Sequence, residues 1–117
     1  MRLVNNAPLG SLLKGDPPKR DAKYLAAIRL LPCLICRLAP CREAAHVRMS
    51  SQAGMGRKPD DRRTVCLCHR HHMEQHAEGE KAWWDRHGID PLAVIEELNR
   101  AYPDQELMAT IVLRYAA

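Results

Sequence analysis

The sequence contains no phenylalanine, and tryptophan and tyrosine are scarce, with 2 and 3 residues. A chain of 117 residues is one domain by length, and its single modest core must be built mainly from Leu, Ala, Ile, Val and Met. No apolar run approaches the ~20 residues that a membrane-spanning helix needs, which argues against a membrane partner. The first residues, Met1-Arg2-Leu3-Val4-Asn5-Asn6-Ala7-Pro8, lack the apolar stretch of a secretory signal, so a cytoplasmic protein is expected. The 5 cysteines cannot all pair with one another. In a reducing compartment, cysteines at short spacing point to metal ligation rather than to disulfides. Internal repeats and low-complexity tracts are also missing.

What is present is unevenly spread. Net charge is +4, yet residues 37–70 hold 8 basic residues against 3 acidic ones, whereas residues 77–117 hold 4 against 8. The positive stretch also carries 3 of the 5 cysteines, and it runs into the histidine-rich segment that follows. A polyanion is the natural partner for such a field, with a solvated basic loop as the plainer alternative.

Taken in order, residues 1–18 form an irregular arm broken by Gly10, Ser11, Gly15, Pro17 and Pro18. The spacing of Tyr24, Leu25, Ala27, Ile28 and Leu31 predicts a helix over 21–31 with Asp21 as N-cap, stopped by Pro32. Residues 43–48 read as a short strand carrying His46, residues 50–61 as a loop with Gly54, Gly56 and Pro59, and residues 63–67 as a second strand. A helix begins near Cys68 and runs to about Ala77. Beyond Gly79 a short helix over 81–86 bears Trp83 and Trp84, which we assign to the core. Asp90 and Pro91 have the chemistry of a helix start, and a last helix follows Pro103-Asp104. Residues 19–117 thus read as one domain, with a core over 33–77 and a helical scaffold over 80–117.

Chemistry concentrates in Thr64-Val-Cys-Leu-Cys-His-Arg-His-His-Met-Glu-Gln-His76, which holds 4 of the 6 histidines. Cys33-x-x-Cys36 is a tight knuckle, and with Cys68-x-x-His71 it offers four soft-to-borderline ligands for a closed, structural Zn²⁺ site. Cys41 is an alternative to Cys36 or Cys68, and Cys66 an alternative to Cys68; as spare thiols both belong in the core. His72 and His76 share a helical face and can hold a second divalent ion. His46, arriving on the neighbouring strand, can face that ion unligated. An imidazole of near-neutral pKa beside a cation suits phosphodiester hydrolysis. Arg48, Arg57, Lys58, Arg62, Arg63 and Arg70 are candidate contacts to nucleic-acid phosphates. Glu74, Glu78 and Glu80 read as solvated helix surface.

The order Cys33-x-x-Cys36, Ala45-His46-Val47 and Leu67-Cys68-x-x-His71-His72 resembles the zinc-stapled HNH endonucleases, also called His-Me finger or ββα-metal nucleases. It looks most like their short phage and prophage members, over residues 33–77. The resemblance implies an α+β fold with a ββα-metal core and a structural zinc, flanked by an N-terminal helix and two or three C-terminal helices. It implies His46 as general base, His72 as the metal ligand that opens the recognition helix, and His76 as a further ligand. Asp61, ahead of Asp60, stands nearest the family's middle asparagine and would orient His46 or coordinate the ion. Three positions depart from the pattern. Ala45 replaces the acid usual before the base, His71 replaces a cysteine, and the asparagine has no direct counterpart.

The expected function is therefore metal-dependent DNA endonuclease, with RNA as an open alternative substrate. The catalytic ion is left among Mg²⁺, Mn²⁺, Ni²⁺ and Zn²⁺, and the state between monomer and homodimer. The rival expectation is a zinc-stapled nucleic-acid-binding module without hydrolysis.

Overall fold

Helix caps, knuckle turns and one short sheet set the path of the chain. The computed structural model describes residues 19–49 and 59–116. The arm expected over 1–18 and the phosphate contacts expected of Arg57 and Lys58 lie outside the described residues.

Helix α1 (Ala22–Arg29) starts where the Asp21 side chain accepts the Tyr24 amide, and it buries Tyr24 and Ile28, one turn apart. Leu31 N donates to Ile28 O at 3.1 Å before Pro32 ends the helical path. The Cys33 knuckle then closes with Arg37 N bonded to Cys33 O at 2.9 Å. Arg37 turns the chain with φ 66°, a left-handed conformation uncommon outside glycine.

Strands β1 (Glu43–His46) and β2 (Thr64–Leu67) pair antiparallel, with Glu43 opposite Leu67 and His46 opposite Thr64. All of β2 is buried, because helices pack against it from more than one side. It therefore reads as a continuous apolar run rather than an alternating one. In β1 the alternation survives: Ala45 and the following Val47 are buried, whereas Ala44 and His46 are half-exposed. That alternation puts His46 on the opposite face from the core.

Helix α2 (His69–Glu78) follows β2 directly, contacts both strands, and buries His71 and Gln75, four residues apart. Gly79, at φ 96°, turns the chain into α3 (Glu80–His87), which buries Trp83 and Trp84. Helix α4 (Pro91–Ala101) has Asp90 as N-cap and Pro91 in its first turn, and α5 (Gln105–Tyr115) has Asp104 as N-cap. These two pack on each other, and the Gln105 side-chain amide reaches Ala27 O at 2.7 Å, tying the last helix to the first.

The described residues thus form a small α+β unit of five helices and one two-stranded antiparallel sheet. None of the described helices is long and apolar enough to cross a membrane. The two tryptophans supply the bulk that the missing phenylalanines would have supplied. Trp83 and Trp84 meet edge to face at 4.8 Å, both buried. Glu74, read from the sequence as solvated surface, instead accepts the Trp83 indole N–H at 2.8 Å. Glu80 is likewise engaged, its carboxylate receiving the amides of Arg48 and Met49 at 2.8 Å each.

Trp83→Ala is expected to cost about 3–5 kcal/mol of stability, since the cavity left by a fully buried indole relaxes only in part. Urea denaturation followed by circular dichroism measures it.

Candidate metal centre and the adjacent histidine groove

Two sets of side chains lie at opposite faces of α2. On its inner face, Cys33, Cys36, Cys68 and His71 each offer one ligand atom, and these atoms all lie within 4.8 Å of one another. Cys68 Sγ is 3.2 Å from His71 Nδ1, Cys33 Sγ is 3.8 Å from the same nitrogen, and Cys36 and Cys68 sulfurs are 3.8 Å apart. The Ile35 amide points at Cys33 Sγ at 3.4 Å. Burial, and then the charge of Arg70, lowers the His71 pKa and so favours the neutral ring that a metal ligand requires. Three thiols and one imidazole are a donor set compatible with a structural zinc site. It is the one group of its kind among the described residues.

The remaining cysteines stand apart from it. Cys41 Sγ donates to the Ile28 and Glu43 carbonyls at 3.4 Å each, and burial pushes its pKa up to about 11. Burial raises the Cys66 thiol well above its ordinary value too. Both are protonated core residues.

On the outer face, α2 borders an open groove of about 360 Å³ lined by Arg20, Arg29, Ala44, His46, Arg48, Asp61, His72 and His76. His46 Nε2 donates to Asp61 Oδ1 at 2.9 Å. Asp61 is itself tightly held. Its other oxygen accepts the Asp21 amide at 2.7 Å, and Arg20 Nη1 reaches Oδ1 at 2.9 Å. Burial would raise the Asp61 pKa, but the Asp21 amide, the His46 ring and the Arg20 charge outweigh it and hold the carboxyl below its ordinary value. Asp60, by contrast, turns to the Lys19 amide at 2.6 Å and does not line the groove.

His72 and His76 stack one turn apart, ring centroids 4.8 Å from each other with a 32° tilt. His72 Nδ1 donates to Glu43 Oε1 at 2.8 Å, and His69 Nδ1 donates to Oε2 of the same carboxylate at 2.7 Å. Glu43 escaped the sequence reading because its partners lie on another element. The one available signal was an acid opening the strand that carries His46.

The basic residues divide. Arg48 lines the groove, and Arg70 is exposed on α2. Arg62 is drawn into the fold instead. Its guanidinium lies over the Tyr24 and Tyr102 rings at 4.5 and 4.8 Å and bonds Asp21 and Asn99. Arg63 turns to Met49 O at 2.8 Å. Arg20 and Arg29, neither singled out from the sequence, line the groove in their place.

A family model matches residues 13–103, which covers the Cys/His cluster and the residues lining the groove but not α5. The chain belongs to the family described as protein of unknown function (DUF968). No curated protein and no solved structure matches it.

The depressed pKa of Asp61 has a direct consequence for stability. A carboxyl whose pKa is lower in the folded state stabilises the fold above its unfolded pKa, and that contribution is lost as pH falls through the folded value. Wild type should therefore lose stability more steeply than Asp61→Asn as pH falls from neutrality through the acid range in which carboxylates protonate. Denaturant midpoints measured across that range compare the two.

Proposed function

We propose that this chain is a metal-dependent endonuclease that hydrolyses phosphodiester bonds of DNA on a zinc-stapled ββα-metal core. The observation that carries this reading is the His46–Asp61 hydrogen bond of 2.9 Å in a groove shared with His72 and His76. A carboxylate only accepts, so the His46 Nε2 carries the proton and Nδ1 keeps the lone pair. His46 is then a general base able to take a proton from water, and Asp61 stabilises the imidazolium that forms. Arg48 and Arg29, with Arg70 beyond them, offer contacts to backbone phosphates without reading bases.

Cys33, Cys36, Cys68 and His71 would hold the structural zinc. His72 and His76 would hold the second, working ion. Two imidazoles accommodate Mn²⁺, Ni²⁺ or Zn²⁺ at least as well as Mg²⁺. When bound, such an ion supplies charge stabilisation for the phosphorane and the leaving 3′-oxygen.

One observation favours a second reading, a zinc-stapled nucleic-acid-binding module without hydrolysis. Ala45 stands where the resembled nucleases carry an acid, and it is buried, only 2% exposed, on the core side of β1. No acid enters the groove from that position.

Elemental analysis of the purified chain should find a tightly held zinc that is retained in Cys41→Ala and Cys66→Ala. The Cys33→Ala, Cys36→Ala double variant should lose both the zinc and the cooperative unfolding transition. A wild type devoid of zinc would end the staple assignment.

With Mn²⁺ or Mg²⁺, the protein should nick supercoiled plasmid. His46→Ala should slow nicking by about 100-fold or more while zinc content and DNA binding persist. Cleavage at the wild-type rate in that variant would refute the assigned base, and a wild type that binds DNA without cutting it would favour the second reading.

A further inference from the structure

Beside the groove lies a second carboxylate–imidazole pair, His72 with Glu43, and the endonuclease reading gives its acid no role. Glu43 opens β1 opposite Leu67, the last residue of β2, so the register places it beside the turn from which α2 departs. From there its two oxygens reach different rings of that first turn, His69 Nδ1 at 2.7 Å and His72 Nδ1 at 2.8 Å. The approach is built rather than incidental. Arg42, immediately before it, adopts φ 77°, and its amide is held by Arg29 O at 3.0 Å.

The two rings differ in what they can do with the bond. The His69 side chain is 74% exposed and does not line the groove, whereas that of His72 is 20% exposed and does. For His72 the contact decides which nitrogen is available. Glu43 accepts from Nδ1, so Nδ1 holds the proton and the lone pair is on Nε2. A free neutral imidazole in water favours the opposite form.

We propose that Glu43 is a positioning residue: by accepting the His72 Nδ1–H it fixes that ring's tautomer and presents Nε2 to a divalent cation in the groove. It acts through His72 and need not touch the ion. This gives β1 a carboxylate serving the groove although Ala45 is buried. It differs from simple pairing of an acid with the positive end of α2, which would stabilise the helix without choosing a nitrogen. Only the cation half of the inference rests on the endonuclease reading.

Long-range ¹H–¹⁵N correlation spectra of ¹⁵N-histidine-labelled, zinc-loaded protein at about pH 8, where imidazoles are neutral, read the tautomer directly. Wild-type His72 should be protonated on Nδ1. Glu43→Gln preserves size and offers one acceptor oxygen to two rings, so His72 should become a tautomer mixture; Glu43→Ala should move it further toward Nε2–H. Calorimetric titration of Ni²⁺ into the same samples should show affinity for the second ion falling by roughly 10- to 100-fold, the usual effect of losing an outer-shell partner. A wild-type His72 protonated on Nε2, or a tautomer unchanged in both variants, would overturn the inference. If His72 shows the assigned tautomer but wild type takes up no Ni²⁺ beyond the zinc site, the tautomer assignment stands and the ion site falls. Loss of helix stability in Glu43→Ala with tautomer and Ni²⁺ affinity unchanged would reduce Glu43 to a helix partner.

Discussion

The rotation of α2 about its own axis is the constraint on which the remaining geometry depends. His71 points inward among Cys33, Cys36 and Cys68, with all four ligand atoms inside 4.8 Å, and Gln75, one turn on, is buried on the same side. Successive residues of a helix are turned by about 100°. Once His71 is fixed, His72 and His76 must look out over β1, and they can look nowhere else. The knuckle at Cys33 and the end of β2 at Cys68 therefore do more than close a small domain poor in aromatic bulk. They aim a helix.

On the outer side the groove is organised by two imidazole–carboxylate pairs arranged in opposite senses. In one, the ring sits on the strand and the acid comes from the loop before β2: His46 gives Nε2–H to Asp61. In the other, the ring sits on the helix and the acid comes from the strand: His72 gives Nδ1–H to Glu43. Each acid thus frees a different ring nitrogen. Both carboxyls are held below their ordinary pKa against the cost of burial, by the donors that surround them. Around these pairs the arginines contribute a positive rim from three separate parts of the chain.

Much of this was legible from residue types at short range. Asp21, Asp90 with Pro91, and Asp104 begin helices, because a cap is a local contact between a side chain and amides two or three residues on. The Cys-x-x-Cys and Cys-x-x-His spacings name the inner cluster for the same reason, and the paired tryptophans are buried as a core lacking phenylalanine demands. What escaped was decided across distance in sequence. Arg62 reads as a phosphate contact until Tyr24 and Tyr102 are seen to enclose it. Arg20 and Arg29 read as ordinary helix charges until β1 brings His46 beside them. Glu74 and Glu80 look like solvated acids and Glu43 is not singled out at all, yet each accepts from a partner on another element. A charged side chain carries no local mark of whether it faces water or a neighbour.

The segment leading into α1 is part of the groove's support rather than a mere lead-in to a helix. Lys19 exchanges backbone contacts with Asp60 and Asp61, Arg20 pairs with Asp61, and the Asp21 amide occupies the carboxylate oxygen that His46 does not. Three successive residues thus act as a bracket behind the aspartate that orients the groove's strand histidine. A fragment cut at Ala22 would retain every described helix and strand and the rings of His46 and His72, while leaving the buried Asp61 carboxylate short of two of its donors. For the chemistry, as distinct from the fold, the domain reaches back at least to Lys19.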